Sequence, residues 1–182
     1  MSTSADRYRR LSDRFREIVA AVPQDRWSSP SPCEDWTALD VTRHVVESHG
    51  LFEQLAGRPL DATPDVDADP VGAFDTVRAI VQADLDDPER AATSWDGHFG
   101  RTTFEDAIDR FVGLDLVVHG WDVAKATGGD TSIGAEDLDV LESAVVGFGE
   151  AARAPGVFRP ELDVPADADQ QTRVLALLGR RA

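Results

Sequence analysis

The sequence predicts an all-α fold, a helical bundle with one small β element. Three observations carry this. Apolar residues recur at helical spacing in several long segments. Capping residues, prolines and glycines punctuate those segments where helices start and stop. Only residues 92 to 101 read as an extended segment or hairpin. Apolar residues make up 42% of the 182, enough for a core. The length fits a single domain over residues 1–182, with a bundle core over 1–155 and a C-terminal extension, 156–182, packing on it.

The first helix is predicted from Asp6 to Val22, where Tyr8, Leu11, Phe15, Ile18, Val19 and Val22 fall near one stripe and Pro23 follows. Residues 28–36 hold Pro30 and Pro32 and read as a loop. Thr37 and Asp40 have the form of a capping box that opens a second helix, and Gly57 closes it after Ala56. Asp69 and Pro70 read as N-cap and first residue of a third helix, expected over Val71 to Leu85. Thr102 or Thr103 caps a long fourth helix that ends at Thr127 before Gly128 and Gly129. A fifth helix is expected from Ala135 to Arg153, and a short last one from Asp169 to Leu178.

The net charge is 18 − 34 = −16. Nucleic acids and anionic membranes need a basic face, so neither is an expected partner. The lone cysteine, Cys33, excludes an intramolecular disulfide and a cysteine-based zinc knuckle, and one free thiol fits a reducing compartment. No apolar run reaches transmembrane length and the first residues lack the pattern of a secretory signal. A soluble cytoplasmic protein, monomer or homodimer, is expected.

Polar residues on apolar stripes mark the candidate site. On helix two, Val41, Val45, Leu51, Phe52 and Leu55 form a stripe with His44 near its middle and His49 at its margin. On helix four, Phe104, Ile108, Phe111 and Val118 share a stripe with Asp115, His119 and Asp122. Asp115 and His119 are i and i+4, hence neighbours on one face. A carboxylate among apolar side chains is costly unless paired or bound to a metal. Two imidazoles and one carboxylate are a three-ligand set for zinc, and nickel or iron accept the same donors. Spacing alone leaves two readings open: a metal site of His44, Asp115 and His119, or a buried hydrogen-bonded network. Asp122 reads as a partner behind a ligand or a helix-stabilising group rather than a fourth ligand. Cys33 lies beside Glu34 and Asp35, where negative charge disfavours a thiolate nucleophile. Trp36 and Trp95 read as packing residues, with Trp95 and His98 as alternatives for a pocket mouth. No phosphate-cradling glycine motif or nucleophile elbow is present.

These residues also carry a resemblance. Pro32-Cys33-Glu34-Asp35-Trp36-Thr37, followed by Arg43-His44-Val45-Val46, resembles the first signature of mycothiol-dependent maleylpyruvate isomerase-like proteins, in the DinB/YfiT-like superfamily of metalloenzymes. The run from Asp115 through His119, Trp121 and Asp122 to Gly128 resembles the second. The tail from Val164 to Arg180 is similar to the ending of an actinobacterial branch described as metal-binding. The resemblance implies an up-and-down antiparallel four-helix bundle (DinB-like) with short extra helices and a small β-hairpin. It implies metal ligands at His44, Asp115 and His119, with Asp115 standing where the isomerase has Glu. It also implies mycothiol, or another low-molecular-weight thiol, as cofactor. The function expected from it is a thiol-dependent transferase or isomerase acting on a small electrophile, the metal activating the thiol. The alternatives are a metal-dependent hydrolase and a non-catalytic, metal-stabilised binding or regulatory module.

Overall fold

The structure is a computed structural model that describes residues 3–62, 65–97, 100–149 and 158–182. The chain divides into two compact units, Met1–Thr131 and Ser132–Ala182. It is mostly helical with one two-stranded antiparallel hairpin.

In the first unit, α1 spans Ser4–Ala20. It starts ahead of the predicted Asp6 because Thr3 and Asp6 form a reciprocal capping box that satisfies the first free N–H groups. Tyr8, Leu11, Phe15 and Val19 are its buried face. A 3-10 turn, Gln24–Arg26, follows. Helix α2 spans Ala38–Leu55, capped by Thr37 and Asp40 as predicted, with Gly57 in the left-handed region just past its end. Helix α3 is Pro70–Asp86, with the Asp69 carboxylate accepting from the Gly72 N–H. The short α4, Pro88–Ala91, is capped by Asp87. Strands β1 (Ser94–Gly97) and β2 (Gly100–Thr103) pair antiparallel, Ser94 opposite Thr103 and Gly97 opposite Gly100.

The predicted fourth helix is one helical run in three parts. Thr103 caps α5, Phe104–Ala107. A π-turn, Ile108–Val112, follows, and then α6, Gly113–Thr127, which ends at Gly128 with φ 80°. Periodicity does not reveal the extra residue of a π-turn, which rotates everything after it.

Helix α1 packs on α3 and α6, and α2 packs on the same two helices. Phe15 and Phe74 meet at a ring separation of 4.7 Å within the shared core, which includes Val45, Val77, Val81, Ile108 and Leu116. Each such side chain fully buried contributes about 1.5–3 kcal/mol. Helix α6 approaches α1 through two glycines. A Cβ on Gly113 would stand 3.2 Å from Arg7 Nη1, and one on Gly120 would stand 3.3 Å from Ile18 Cδ1. These two glycines lie on the side of α6 opposite Asp115, His119 and Asp122 at about 100° per residue. Close packing on α1 therefore turns those polar residues away from it.

In the second unit, α7 (Ala135–Phe148) packs on α8 (Gln170–Leu177), which Asp169 caps. Leu138, Leu141, Val174 and Leu175 are buried. Helix α7 ends short of the predicted Arg153, a position outside the described residues. Among the described residues no helix is long and apolar enough to cross a membrane.

Candidate metal centre

Two helices and one loop build the site, all within the first unit. Helix α2 supplies His44, and α6 supplies Asp115 and His119 one turn apart. His44 Nε2 lies 3.6 Å from Asp115 Oδ2, and His119 Nε2 lies 3.8 Å from Asp115 Oδ1. One donor atom from each residue falls within 4.8 Å of the others. Both imidazole–carboxylate separations exceed an N–H···O hydrogen bond of about 2.7–3.2 Å. The two imidazoles meet edge to face at 4.9 Å. The His44 and Asp115 side chains are 36% and 33% exposed, so the donors face a region that solvent reaches.

Charge couples the three groups. The Asp115 carboxylate beside it holds the His44 imidazole above its ordinary value. Burial pushes the Asp115 carboxyl up, but the His44 and His119 imidazoles outweigh it and hold the group below its ordinary value.

Behind the donors, His119 Nδ1 is 3.0 Å from Asp122 Oδ2, and the same oxygen is 3.3 Å from Cys33 Sγ. Cys33, His119 and Asp122 thus form a second group of close donor atoms. The loop bearing Cys33 is tied across its neck. Ser31 N–H donates to the Trp36 carbonyl at 2.8 Å and Trp36 N–H to the Cys33 carbonyl at 3.2 Å. Asp35 adopts φ 61°, a left-handed conformation that Asp tolerates better than most residues. This turn lays the Trp36 indole over His44, ring centres 5.1 Å apart, and 6.4 Å from the His119 ring.

Sequence reasoning named the three residues that converge, but it misjudged their surroundings. The α2 stripe was centred too far toward His44. His49 is the fully buried histidine, between Tyr8 and Phe74, and its Nδ1 lies 2.7 Å from the Val45 carbonyl. Leu51 and Leu55, expected in the core, are 51% and 45% exposed. The physical reason is that the buried face of α2 contains three polar residues, Thr42, His49 and Glu53, which pull a hydrophobicity-based stripe off its true axis. The placement of Trp36 against the imidazoles was also missed, although its closeness to the α2 cap was a signal. Trp95 packs against the core, and His98 lies outside the described residues.

The family model described as mycothiol maleylpyruvate isomerase N-terminal domain matches residues 8–109, which include His44. The uncharacterized proteins MT0763 and Rv0738, from two strains of Mycobacterium tuberculosis, are each 28% identical over 180 residues, covering 95% of this chain and 95% of their own. No solved structure matches. The family match spans more than half of the chain, so the chain belongs to the mycothiol maleylpyruvate isomerase N-terminal domain family.

Proposed function

We propose that this protein binds a divalent metal through His44, Asp115 and His119, and uses it in a transfer or isomerisation that depends on a low-molecular-weight thiol such as mycothiol. The observation that carries the reading is the spacing of the donors. At 3.6 and 3.8 Å the imidazole nitrogens stand too far from Asp115 for direct hydrogen bonds. Two ligand atoms on one tetrahedral zinc are separated by about 3.4 Å, given bonds of about 2.0–2.1 Å. Two imidazoles and a carboxylate suit zinc first, with nickel and iron next. Three protein ligands leave coordination positions for a thiol or water, in the manner of catalytic rather than structural sites.

When bound, the metal supplies Lewis acidity that stabilises a coordinated thiol as thiolate, the nucleophilic form. The chain's own residues do the rest. Trp36 walls one side of the two imidazoles, its ring 5.1 Å from that of His44 and 6.4 Å from that of His119. The partial exposure of His44 and Asp115 gives a small thiol and a small electrophile a way in. The packing of α1, α2, α3 and α6 fits the up-and-down antiparallel bundle expected of a DinB-like protein.

Elemental analysis of purified wild type beside His44→Ala and His119→Ala tests the site. The expected result is one metal per chain in wild type and none in either variant, with unchanged circular dichroism. A wild type that stays empty after incubation with zinc and nickel overturns the reading. Calorimetric titration of the loaded protein with mycothiol then tests the thiol. Turnover of an electrophilic substrate without any thiol points to hydrolysis instead.

A further inference from the structure

The fully buried Asp122 carboxylate calls for an explanation, because a charge in an apolar setting persists only when its lone pairs are satisfied. It lies on α6 beside the buried Trp121 and Val123, three residues beyond His119. One oxygen, Oδ2, meets both His119 Nδ1 at 3.0 Å and Cys33 Sγ at 3.3 Å. In its ionised form the carboxylate only accepts hydrogen bonds, and the imidazole and the thiol are then both donors. A neutral imidazole carries one proton. If that proton is on Nδ1, Nε2 is a bare lone pair, and Nε2 is the atom that faces Asp115.

Resting on the metal reading above, we propose that Asp122 is the positioning residue that fixes His119 as its Nδ1–H tautomer and so turns Nε2 toward the metal. Cys33 serves the same end as a thiol that anchors the carboxylate. Its backbone N–H donates to Ser31 Oγ at 3.1 Å and its carbonyl accepts from Trp36 N–H, which fixes where the thiol points. The assignment makes Cys33 a hydrogen-bond donor and not a nucleophile. It also joins the two faces of the loop: Trp36 covers the imidazoles while Cys33 braces the group behind one of them.

Long-range proton–nitrogen correlation NMR on histidine-labelled, metal-free protein reads the tautomer directly, at a pH where the imidazoles are neutral. His119 should carry its proton on Nδ1 in wild type. In Asp122→Asn the amide can donate to Nδ1, and the proton should move to Nε2. Competition with a chromophoric chelator for zinc should then show affinity lowered 10- to 100-fold in Asp122→Asn. Cys33→Ser, which keeps a donor, should stay within a few-fold of wild type, and Cys33→Ala should fall between.

An Nε2–H tautomer for His119 in wild type overturns the proposal, as does wild-type zinc affinity in a folded Asp122→Asn. If Cys33→Ala abolishes zinc binding while His44→Ala retains it, Cys33, His119 and Asp122 are themselves the ligands and the proposal fails. If wild type binds no metal, the metal reading fails, while the tautomer measurement still judges the role of Asp122. Should Asp122→Asn not fold, the wild-type tautomer and the two Cys33 variants decide.

Discussion

At the scale of single residues, two buried titratable groups on α2 pull stability in opposite directions as pH changes. Glu53 is buried with Asp84, and Arg58 Nε lies 3.1 Å from the Glu53 carboxylate and 2.5 Å from that of Asp84; Arg90 pairs with Asp84 from the other side. Burial, and then the nearby Asp84 charge, push the Glu53 carboxyl up to about 7 from an ordinary 4.5. Folded protein therefore holds this proton more tightly than unfolded chain. The Glu53 contribution is full below pH 4.5 and is lost as pH rises through 7. Burial lowers His49 from 6.5 to about 4, so its contribution is present above pH 6.5 and is lost as pH falls through 4. The two oppose each other between pH 4.5 and 6.5. Glu53→Gln should remove one arm, leaving stability that falls steeply on acidification, with a change on the order of 2–3 kcal/mol across the window. Urea melts of both proteins at several pH values check this; parallel pH profiles would count against it.

At the scale of elements, a helix end is separable from the site, whereas the contact of α6 with α1 is coupled to it. Gly128 ends α6 at φ 80°, and the Gly129 N–H reaches back to the Ala124 carbonyl at 2.8 Å. A Cβ there meets no neighbour, so the only cost is conformational. Gly128→Ala should lower stability by about 1 kcal/mol and leave metal content unchanged, as thermal melts and elemental analysis can show. Gly120 is the contrasting case, because Ile18 and Phe15 stand at 3.3 and 3.5 Å from where its Cβ would be. Gly120→Leu should force α6 off α1 at a cost of about 1–3 kcal/mol. It should also weaken zinc binding, since Asp115 and His119 ride on the opposite face of that helix. Zinc affinity equal to wild type in a folded Gly120→Leu protein would show that the α1–α6 contact does not set the ligands.

At the scale of the whole molecule, the proposed ligands come from α2 and α6, two helices separated by a long stretch of chain. A ligand that binds only the folded form stabilises it by about 2.7 kcal/mol at a hundredfold excess over Kd. Zinc should therefore raise Tm in differential scanning calorimetry, a chelator should reverse the rise, and His119→Ala should show neither effect. An equal rise in His119→Ala would place the metal elsewhere.

The sequence by itself determined the helical class, most helix boundaries and the identity of the converging residues. Those features are written locally. Thr37 with Asp40, Asp69 with Pro70, and Gly128 each act within a turn or so of their own position. The i, i+4 spacing of Asp115 and His119 is likewise a property of one helix. Only the tertiary structure decided which histidine of α2 is buried. His44 and His49 are five residues apart, about 140° round the helix, and choosing between them required knowing that Tyr8 of α1 and Phe74 of α3 enclose the second. The π-turn before α6, the Trp36 indole over His44 and the Cys33–Asp122–His119 contact were equally out of reach. The last two depend on how segments far apart in sequence pack, and a pattern read along one segment contains no term for its neighbours.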